Sequence, residues 1–280
     1  MEQTWKTIIK PVNGWRNVDI RELFAYKDLT FLFVKRNFST RYKQTILGPA
    51  WLILSPLMST VISTFVFGTI AGIPSDGVPY FLFYLCGSMA WSYFAGCLTN
   101  TASTFTGNAW VFSKVYFPRL VMPLSTVITG FIDSLIQFAM FLIFWVYFYV
   151  KGAAIGFTWA VLLLPILVIQ MAALGLGCGI IISSLTTKYR DLHVLVGFGT
   201  TLWMYITPVI YSTTALTPEL RGLCMLNPMA PVVEMFRFAL LGSGEASFGY
   251  WGISLLVTAV ILALGVVLFS RVEKTFVDTV

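Results

Sequence analysis

Five long stretches of this sequence contain no Asp, Glu, Lys or Arg, and this feature limits the fold more than any other. Each can hold the roughly 20 apolar residues that cross a bilayer as a helix. The chain is 58% hydrophobic and only 11% charged, which is too few polar side chains to coat a water-soluble globule. The stretches lie between Lys43 and Asp76, Asp76 and Lys114, Lys151 and Lys188, Asp191 and Glu219, and Glu245 and Arg271.

The pattern predicts an all-α integral membrane protein with six transmembrane helices. The stretches do not alternate apolar and polar residues as membrane β-strands do. We expect a transmembrane domain over residues 47–270, between an N-terminal segment, 1–46, and a tail, 271–280. The predicted spans are about Leu47–Ala71, Tyr80–Thr101, Val121–Val150, Thr158–Leu185, His193–Tyr211 and Tyr250–Ser270.

The basic residues predict the orientation of these spans. If the N-terminus is cytoplasmic, fifteen of the 18 Lys and Arg residues lie on the inner side and only Lys151, Arg221 and Arg237 lie outside. Cytoplasmic loops carry such an excess of basic residues. The sequence therefore predicts that both termini are cytoplasmic. The net charge of +6 reflects this topology rather than nucleic-acid binding.

Before the first span, the segment Ile20–Phe38 is predicted to form an amphipathic helix. Apolar residues recur at roughly helical spacing, and charged residues give the other side its charge. The apolar side is Ile20, Leu23, Phe24, Phe31, Val34 and Phe38, and the charged side is Arg21, Asp28, Lys35 and Arg36. Such a helix can lie in the headgroup layer beside membrane lipids, with its cations near anionic lipid. A surface anchor and a specific docking element both fit this pattern.

Motifs for chemistry are missing from the sequence. It contains no phosphate-binding G-x-x-x-x-G-K-[ST] loop, one histidine (His193) and no metal-ligand spacing among its four cysteines. We therefore expect no enzyme, no catalytic residue and no metal site. The cysteines are expected to behave as small apolar residues. Any process driven by nucleotide hydrolysis would need another protein to supply the energy.

One acidic residue and one group of glycines stand out inside the predicted spans. Asp133 lies well within the third span, where a carboxylate is costly unless it has a partner or a purpose. Interhelical hydrogen bonding is the preferred interpretation over proton coupling. The fourth span carries Gly175, Gly177 and Gly179, which allow helices to approach closely. Packing within one subunit and a dimer interface both remain open for these glycines.

Aromatic residues near the middle of the spans are candidates for lining a channel. Mid-span Trp and Tyr need partners for their N–H and O–H groups when they are buried. A sugar chain suits such a channel because its C–H faces stack on aromatic rings. Packing and lipid-facing roles fit most of these residues as well. The candidates are Trp91, Tyr93, Phe94, Phe138, Trp203 and Tyr205.

Four short motifs together resemble a known family. They begin at Arg41-Tyr42-Lys43, Lys114-Val115-Tyr116-Phe117-Pro118-Arg119, Lys188-Tyr189-Arg190-Asp191 and Asn227-Pro228. Their order and their sides of the membrane are similar to the permease subunit of ABC-2 type exporters. Within this family, the sequence resembles the branch that moves O-antigen, capsular polysaccharide or teichoic acid across the bacterial inner membrane.

The resemblance implies partners that the sequence alone does not show. It implies a homodimer with two copies of a separate ABC ATP-binding subunit, which would bind ATP and Mg while this chain holds no cofactor. The Ile20–Phe38 helix would be an interface helix beside the ATPase, and residues 108–120 would form a coupling helix. The implied coupling residues are Lys114, Tyr116, Phe117, Pro118 and Arg119. The implied interface-helix residues are Lys35, Arg36, Arg41, Tyr42 and Lys43, and the cytoplasmic-loop residues are Lys188, Tyr189, Arg190 and Asp191.

The outer loop, residues 213–249, is expected to contain short re-entrant helices over Pro228–Leu241. By the same resemblance, Asn227, Pro228, Glu234 and Arg237 would belong to an outer gate, where Glu234 and Arg237 can pair at a spacing of three residues. The implied substrate is a lipid-linked glycan. An exporter of a drug or small lipophilic compound remains an alternative, as does a membrane scaffold or a lipid-modifying enzyme.

Overall fold

In the computed structural model, the helices follow the apolar stretches of the sequence. The structure describes residues 20–104, 107–108, 111, 114, 117–186, 192–244 and 246–276. No strand occurs within these ranges. The helices are α1 (Ile20–Ala25), α2 (Lys27–Tyr42), α3 (Trp51–Ser63), α4 (Tyr80–Ala102), α5 (Val121–Val150), α6 (Leu164–Thr186), α7 (Leu192–Ile206), α8 (Pro218–Met225), α9 (Met229–Leu241) and α10 (Phe248–Phe276).

Five helical segments are long and apolar enough to cross a bilayer. A π-helical turn, Thr64–Ile70, extends α3, and a 3₁₀ turn, Trp159–Leu163, precedes α6. The segments confirm five of the six predicted spans to within two residues at each end. They are Gly48–Ile70, Tyr80–Ala102, Val121–Val150, Trp159–Thr186 and Phe248–Arg271.

The predicted fifth span differs from the structure. Within the described chain, α7 has 15 residues and ends at Ile206. At about 1.5 Å per residue, it is shorter than a hydrocarbon core of about 30 Å. The following residues, Thr207 to Tyr211, form turns, with Thr207 and Val209 fully buried. The prediction of a continuous helix over His193–Tyr211 was therefore wrong. The physical reason is that Pro208 lacks the N–H that a continuing helix needs.

Two short helices form the last large loop. The axes of α8 and α9 are bent by 101° relative to each other. All but one of the side chains of α9 are buried, and α9 ends at Gly242, whose φ of 71° is the left-handed conformation that glycine adopts readily. An apolar helix therefore occupies the position where a re-entrant element was predicted, beginning one residue later, at Met229.

The helix α4 lies at the centre of the bundle. In its most apolar stretch of 18 residues, 72% of the residues are buried, compared with 22% in α5. Glycines let α6 pack closely beside it. A Cβ on Gly179 would lie 2.5 Å from Thr101 Cβ of α4, and one on Gly177 would lie 2.9 Å from Leu262 Cα of α10. The glycine pattern of α6 therefore serves packing between helices of one subunit.

The N-terminal helices differ from the prediction in their continuity and in the side that is buried. The predicted single helix is broken at Tyr26, between α1 and α2. Of the predicted apolar side, Phe24 and Phe31 are exposed and Val34 is buried. Phe33, which was not part of that side, is buried against the start of α5. Because apolar residues occur on more than one side of this segment, helical spacing alone did not reveal which side packs.

Candidate functional site

An ion pair joins the N-terminal helices to the transmembrane bundle. Arg41, in the last turn of α2, donates through Nη1 to Oδ2 of Asp133 in α5. The hydroxyl of Tyr42 lies 3.5 Å from Oδ1 of the same carboxylate. A buried carboxylate is retained in a membrane helix when it is paired in this way. Asp133 thus forms an interhelical hydrogen bond, with a partner that was not predicted, and the preference for this role over proton coupling stays a prediction.

The α2 helix also contacts the segment predicted to couple to the ATPase. The rings of Phe33 and Phe117 lie 5.6 Å apart, and the guanidinium of Arg36 lies 4.7 Å from the Phe33 ring. Arg36 Nη2 donates to Oδ1 of Asn108 at 3.3 Å. Partial burial lowers the pKa of Arg36, although an arginine side chain stays charged in proteins. The predicted interface helix and coupling segment therefore form one packed unit.

The predicted coupling residues differ in their exposure. Lys114 is exposed, Pro118 is half-buried, and Phe117 and Arg119 are buried within the chain. Tyr116 lies outside the described residues. Lys114 is thus the described cation of this segment whose side chain is open to a partner. Roles of these residues in coupling stay predictions.

Among the predicted interface-helix residues, Lys35 and Lys43 are exposed, as is Arg41 in part, with 40% of its side chain accessible. Burial raises the pKa of Tyr42 above its ordinary value, so its hydroxyl stays protonated at neutral pH. The predicted cytoplasmic-loop residues, Lys188, Tyr189, Arg190 and Asp191, lie outside the described residues.

A polar groove of about 680 Å³ lies beside the ion pair, between the end of α2 and helices α3, α4 and α5. Ser92 of α4 donates a hydrogen bond of 2.9 Å to Oε1 of Gln137 in α5, which closes one side of the groove. Hydroxyl and amide side chains in the groove could hydrogen-bond a polar molecule. Its polar lining residues are Arg41, Tyr42, Ser55, Ser92, Asn100 and Gln137.

Three of the candidate channel aromatics form one cluster inside the subunit. Phe94 lies 5.2 Å from Trp91 and 5.1 Å from Trp203, centroid to centroid, in edge-on arrangements. Trp91 and Phe94 are buried. The indole N–H of Trp203 donates to Oδ1 of Asn227 at 2.8 Å. This cluster joins α4 and α7 to the outer loop.

The other three aromatic candidates lie elsewhere. Tyr93 and Phe138 line a separate apolar cavity of about 370 Å³, whereas Tyr205 is exposed on α7. The six residues therefore do not share one surface of the subunit. Their part in a channel stays a prediction.

At the outer loop, Arg237 and Glu234 form the predicted ion pair. Arg237 Nη1 lies 3.2 Å from Glu234 Oε1, and both side chains are almost fully buried. Arg237 Nη2 donates to the Val209 carbonyl at 2.5 Å, and the guanidinium lies 3.7 Å from the Phe83 ring. One buried cation thus connects α9, α4 and the turn after α7.

Two further hydrogen-bonded connections fasten this region. Asn227 Nδ2 donates to Thr207 Oγ1 at 2.8 Å, and the carbonyl of Pro228 accepts from Ser254 Oγ of α10 at 2.5 Å. Ser254 in turn accepts from the amide of Gln170 in α6 at 2.7 Å. Of the predicted outer-gate residues, Glu234 and Arg237 contact each other. Asn227 is tied to α7, Pro228 to α10 and Arg237 to α4.

Sequence reasoning did not single out Asp76, which anchors the segment after α7. Its two carboxylate oxygens accept from Ser212 Oγ at 2.5 Å and from Thr214 Oγ1 at 2.6 Å. The available signal was an acid at the outer end of a span. Its partners, however, lie 136 and 138 residues away in sequence.

Comparison with known proteins identifies the family. The family model "ABC-2 type transporter" matches residues 28–241, most of the chain. The chain belongs to the ABC-2 type transporter family. An O-antigen export system permease protein RfbA of Klebsiella pneumoniae is 27% identical over 251 residues, covering 90% of this chain and 94% of the relative.

Other relatives of this ABC-2 family member cover similar parts of the chain. An O-antigen export system permease protein RfbA of Myxococcus xanthus is 28% identical, covering 78% of this chain and 82% of its own length. The polysialic acid transport protein KpsM of Escherichia coli is 22% identical over 87% of this chain and 93% of its own length. The resemblance inferred from the four motifs is confirmed.

Proposed function

We propose that this chain is the membrane-spanning subunit of an ATP-driven exporter, which moves a lipid-linked polysaccharide across the bacterial inner membrane. The observation that carries this proposal is the similarity to O-antigen export permeases over 90% of the chain. The polymer would be of the O-antigen, capsule or teichoic acid type. The similarity to a polysialic acid transport protein favours a glycan over a drug as the cargo.

The proposed assembly contains two copies of this chain and two copies of an ABC ATP-binding subunit. ATP and Mg would be bound by that partner. The exposed surface of α3 supports the proposal of a second copy. Only 11% of the residues in the most apolar 18-residue stretch of this span are buried within the subunit. Membrane lipid would cover the apolar surfaces that the second copy leaves open.

In the proposed topology both termini are cytoplasmic. The distribution of lysines and arginines supports it, because fifteen of 18 fall on one side. With this polarity, α7 and the turn after it lead to the outer side as the fifth membrane segment. The pair α8 and α9 would then dip into the membrane and return as a re-entrant element. The exposed Lys114 would face the cytoplasm.

The contacts of α2 suggest how motion of the ATPase would reach the bundle. Movement of the coupling segment would shift α2 through Phe117 and Asn108, both of which contact α2. The ion pair of Arg41 with Asp133 would pass that shift to the middle of α5. Relative motion of the two subunits would open a path for the glycan, while its lipid stays at the bilayer edge.

Gene deletion tests the proposed function directly. Cells without this chain are expected to accumulate completed lipid-linked glycan on the cytoplasmic side, and the wild-type gene should restore glycan at the surface. Purification from membranes is expected to recover an ABC ATP-binding subunit with the chain. Unchanged surface glycan in the deletion strain, or transport by the chain alone without an ATPase, would overturn the proposal. Loss of drug efflux with normal glycan would assign the alternative cargo.

A further inference from the structure

The polar groove beside the Arg41–Asp133 ion pair contains hydrogen-bonding groups that the subunit leaves unused. Among the residues that the structure describes, the hydroxyl of Ser55, the side-chain amide of Asn100 and the indole N–H of Trp51 have no hydrogen-bond partner. Gln137 uses its carbonyl oxygen to accept from Ser92, and its amide nitrogen donates to no described residue. These groups come from α3, α4 and α5, and all border the same groove.

Unpaired amides are costly inside a bilayer. Moving a polar group from water into an apolar medium is unfavourable unless the group forms a hydrogen bond there. The groove extends into the bundle from the end where α3 begins and α4 ends. Ser92 lies eight residues before Asn100 on α4, which corresponds to roughly 12 Å along the helix. These groups are therefore available to hydrogen-bond a polar occupant of the groove.

The charge of the groove indicates what kind of occupant fits. The cation in its lining, Arg41, is neutralised by Asp133, and the remaining polar groups are uncharged. A phosphate or an acidic sugar would find no uncompensated cation there. Neutral hydroxyl groups, in contrast, match amide and hydroxyl partners. The rings of Trp51 and Tyr42 border the same space, and aromatic rings stack on the C–H faces of sugars.

We propose that this groove binds uncharged sugar residues of the transported glycan where it enters the bundle. The inference rests on the proposed function and names a site for it within one subunit. The groove volume of about 680 Å³ lies inside the range of about 300–1,000 Å³ that is usual for small-molecule sites. Asn100 and Gln137 hydrogen-bond the sugar hydroxyls, and Trp51 supports a ring face.

Protection of an introduced cysteine tests binding. The four native cysteines are replaced with serine, and Asn100→Cys is labelled with a water-soluble maleimide in the complete exporter in lipid nanodiscs. Maltohexaose, a neutral oligosaccharide, is expected to slow labelling by about fivefold when its concentration is about four times its Kd, because labelling slows by the factor 1 + [L]/Kd. A sulfated hexasaccharide at equal concentration should have no effect. Ser39→Cys, exposed on α2 outside the groove, is the control that should label equally in all conditions.

Three results would overturn the inference: an unchanged labelling rate with maltohexaose, equal protection by the sulfated sugar, or no labelling of Asn100→Cys at all. The last result would mean that a second copy covers the groove.

Export in cells separates this inference from the proposed function. Asn100→Leu keeps the branched shape of the side chain, Gln137→Met keeps its length, and both remove the amide. Each should lower the export rate by about fivefold. Asn100→Gln should restore most of the rate. Thr99→Val, a neighbour on α4 that does not line the groove, should export normally. Normal export by both Asn100→Leu and Gln137→Met refutes the groove as a sugar site, whereas absence of glycan export in the wild type refutes the function.

Discussion

Replacing Arg237 with leucine should destabilise this protein more than most single substitutions. The side chain of Arg237 is fully buried, and its removal would leave the buried carboxylate of Glu234 without its cation. It would also remove the hydrogen bond to the Val209 carbonyl and the contact with the Phe83 ring. Breaking one side of a buried ion pair costs about 3–5 kcal/mol.

The expected cost translates into a measurable melting temperature. For chains of 150–250 residues, 1 kcal/mol shifts Tm by about 2–4 °C, so Arg237→Leu should lower Tm by roughly 10 °C. The measurement is the temperature at which the purified protein in detergent loses its monomeric or dimeric peak in fluorescence-detected size-exclusion chromatography. Lys43→Leu is a control, because Lys43 is an exposed cation at the end of α2.

A double variant tests whether the unpaired charge of Glu234 causes the loss of stability. Glu234→Gln removes the orphaned charge, so the double variant Glu234→Gln/Arg237→Leu should be more stable than Arg237→Leu alone. A loss of less than about 2 °C in Arg237→Leu would refute the importance of the buried cation. A double variant that melts below the single one would refute charge burial as the cause.

Three further perturbations have distinct expected outcomes. Gly179→Ala should lower Tm by several degrees because its Cβ would lie 2.5 Å from Thr101 Cβ, whereas Gly199→Ala, with open space around it, should not. Asp133→Asn keeps an acceptor for Arg41 and should retain export, whereas Asp133→Leu should reduce both export and Tm; loss of export in a stable Asp133→Asn would contradict a structural role. A cysteine at Lys114 should react with an impermeant maleimide in inside-out vesicles and not in intact cells, and the opposite result would invert the topology.

Local sequence patterns predicted those features that are decided within a single segment, such as whether it lies in lipid or in water. The span Val121–Val150 was predicted with the bounds it has in the structure, because hydropathy along one helix is sufficient to locate it. The pair Glu234–Arg237 was also predictable, since residues three apart in a helix are neighbours whatever the fold.

Features that depend on which helices meet were not predictable in the same way. The sequence showed that Asp133 needed a partner, but Arg41 is 92 residues away and is one of several nearby cations. The same holds for Asp76, whose partners follow α7, and for the side of α2 that is buried. The turn at Thr207–Tyr211 was missed because its residues are as apolar as a span.

The sequence by itself determined that this chain is a membrane protein, where its long helices run and which family it belongs to. These properties follow from hydropathy, charge and short motifs, which are read along one segment at a time. Only the tertiary structure decided that the glycines of α6 face α4 and α10, that Arg41 binds Asp133, and that Ser55, Asn100 and Gln137 border one groove. Such contacts depend on the relative placement of several helices, and no single segment contains that information.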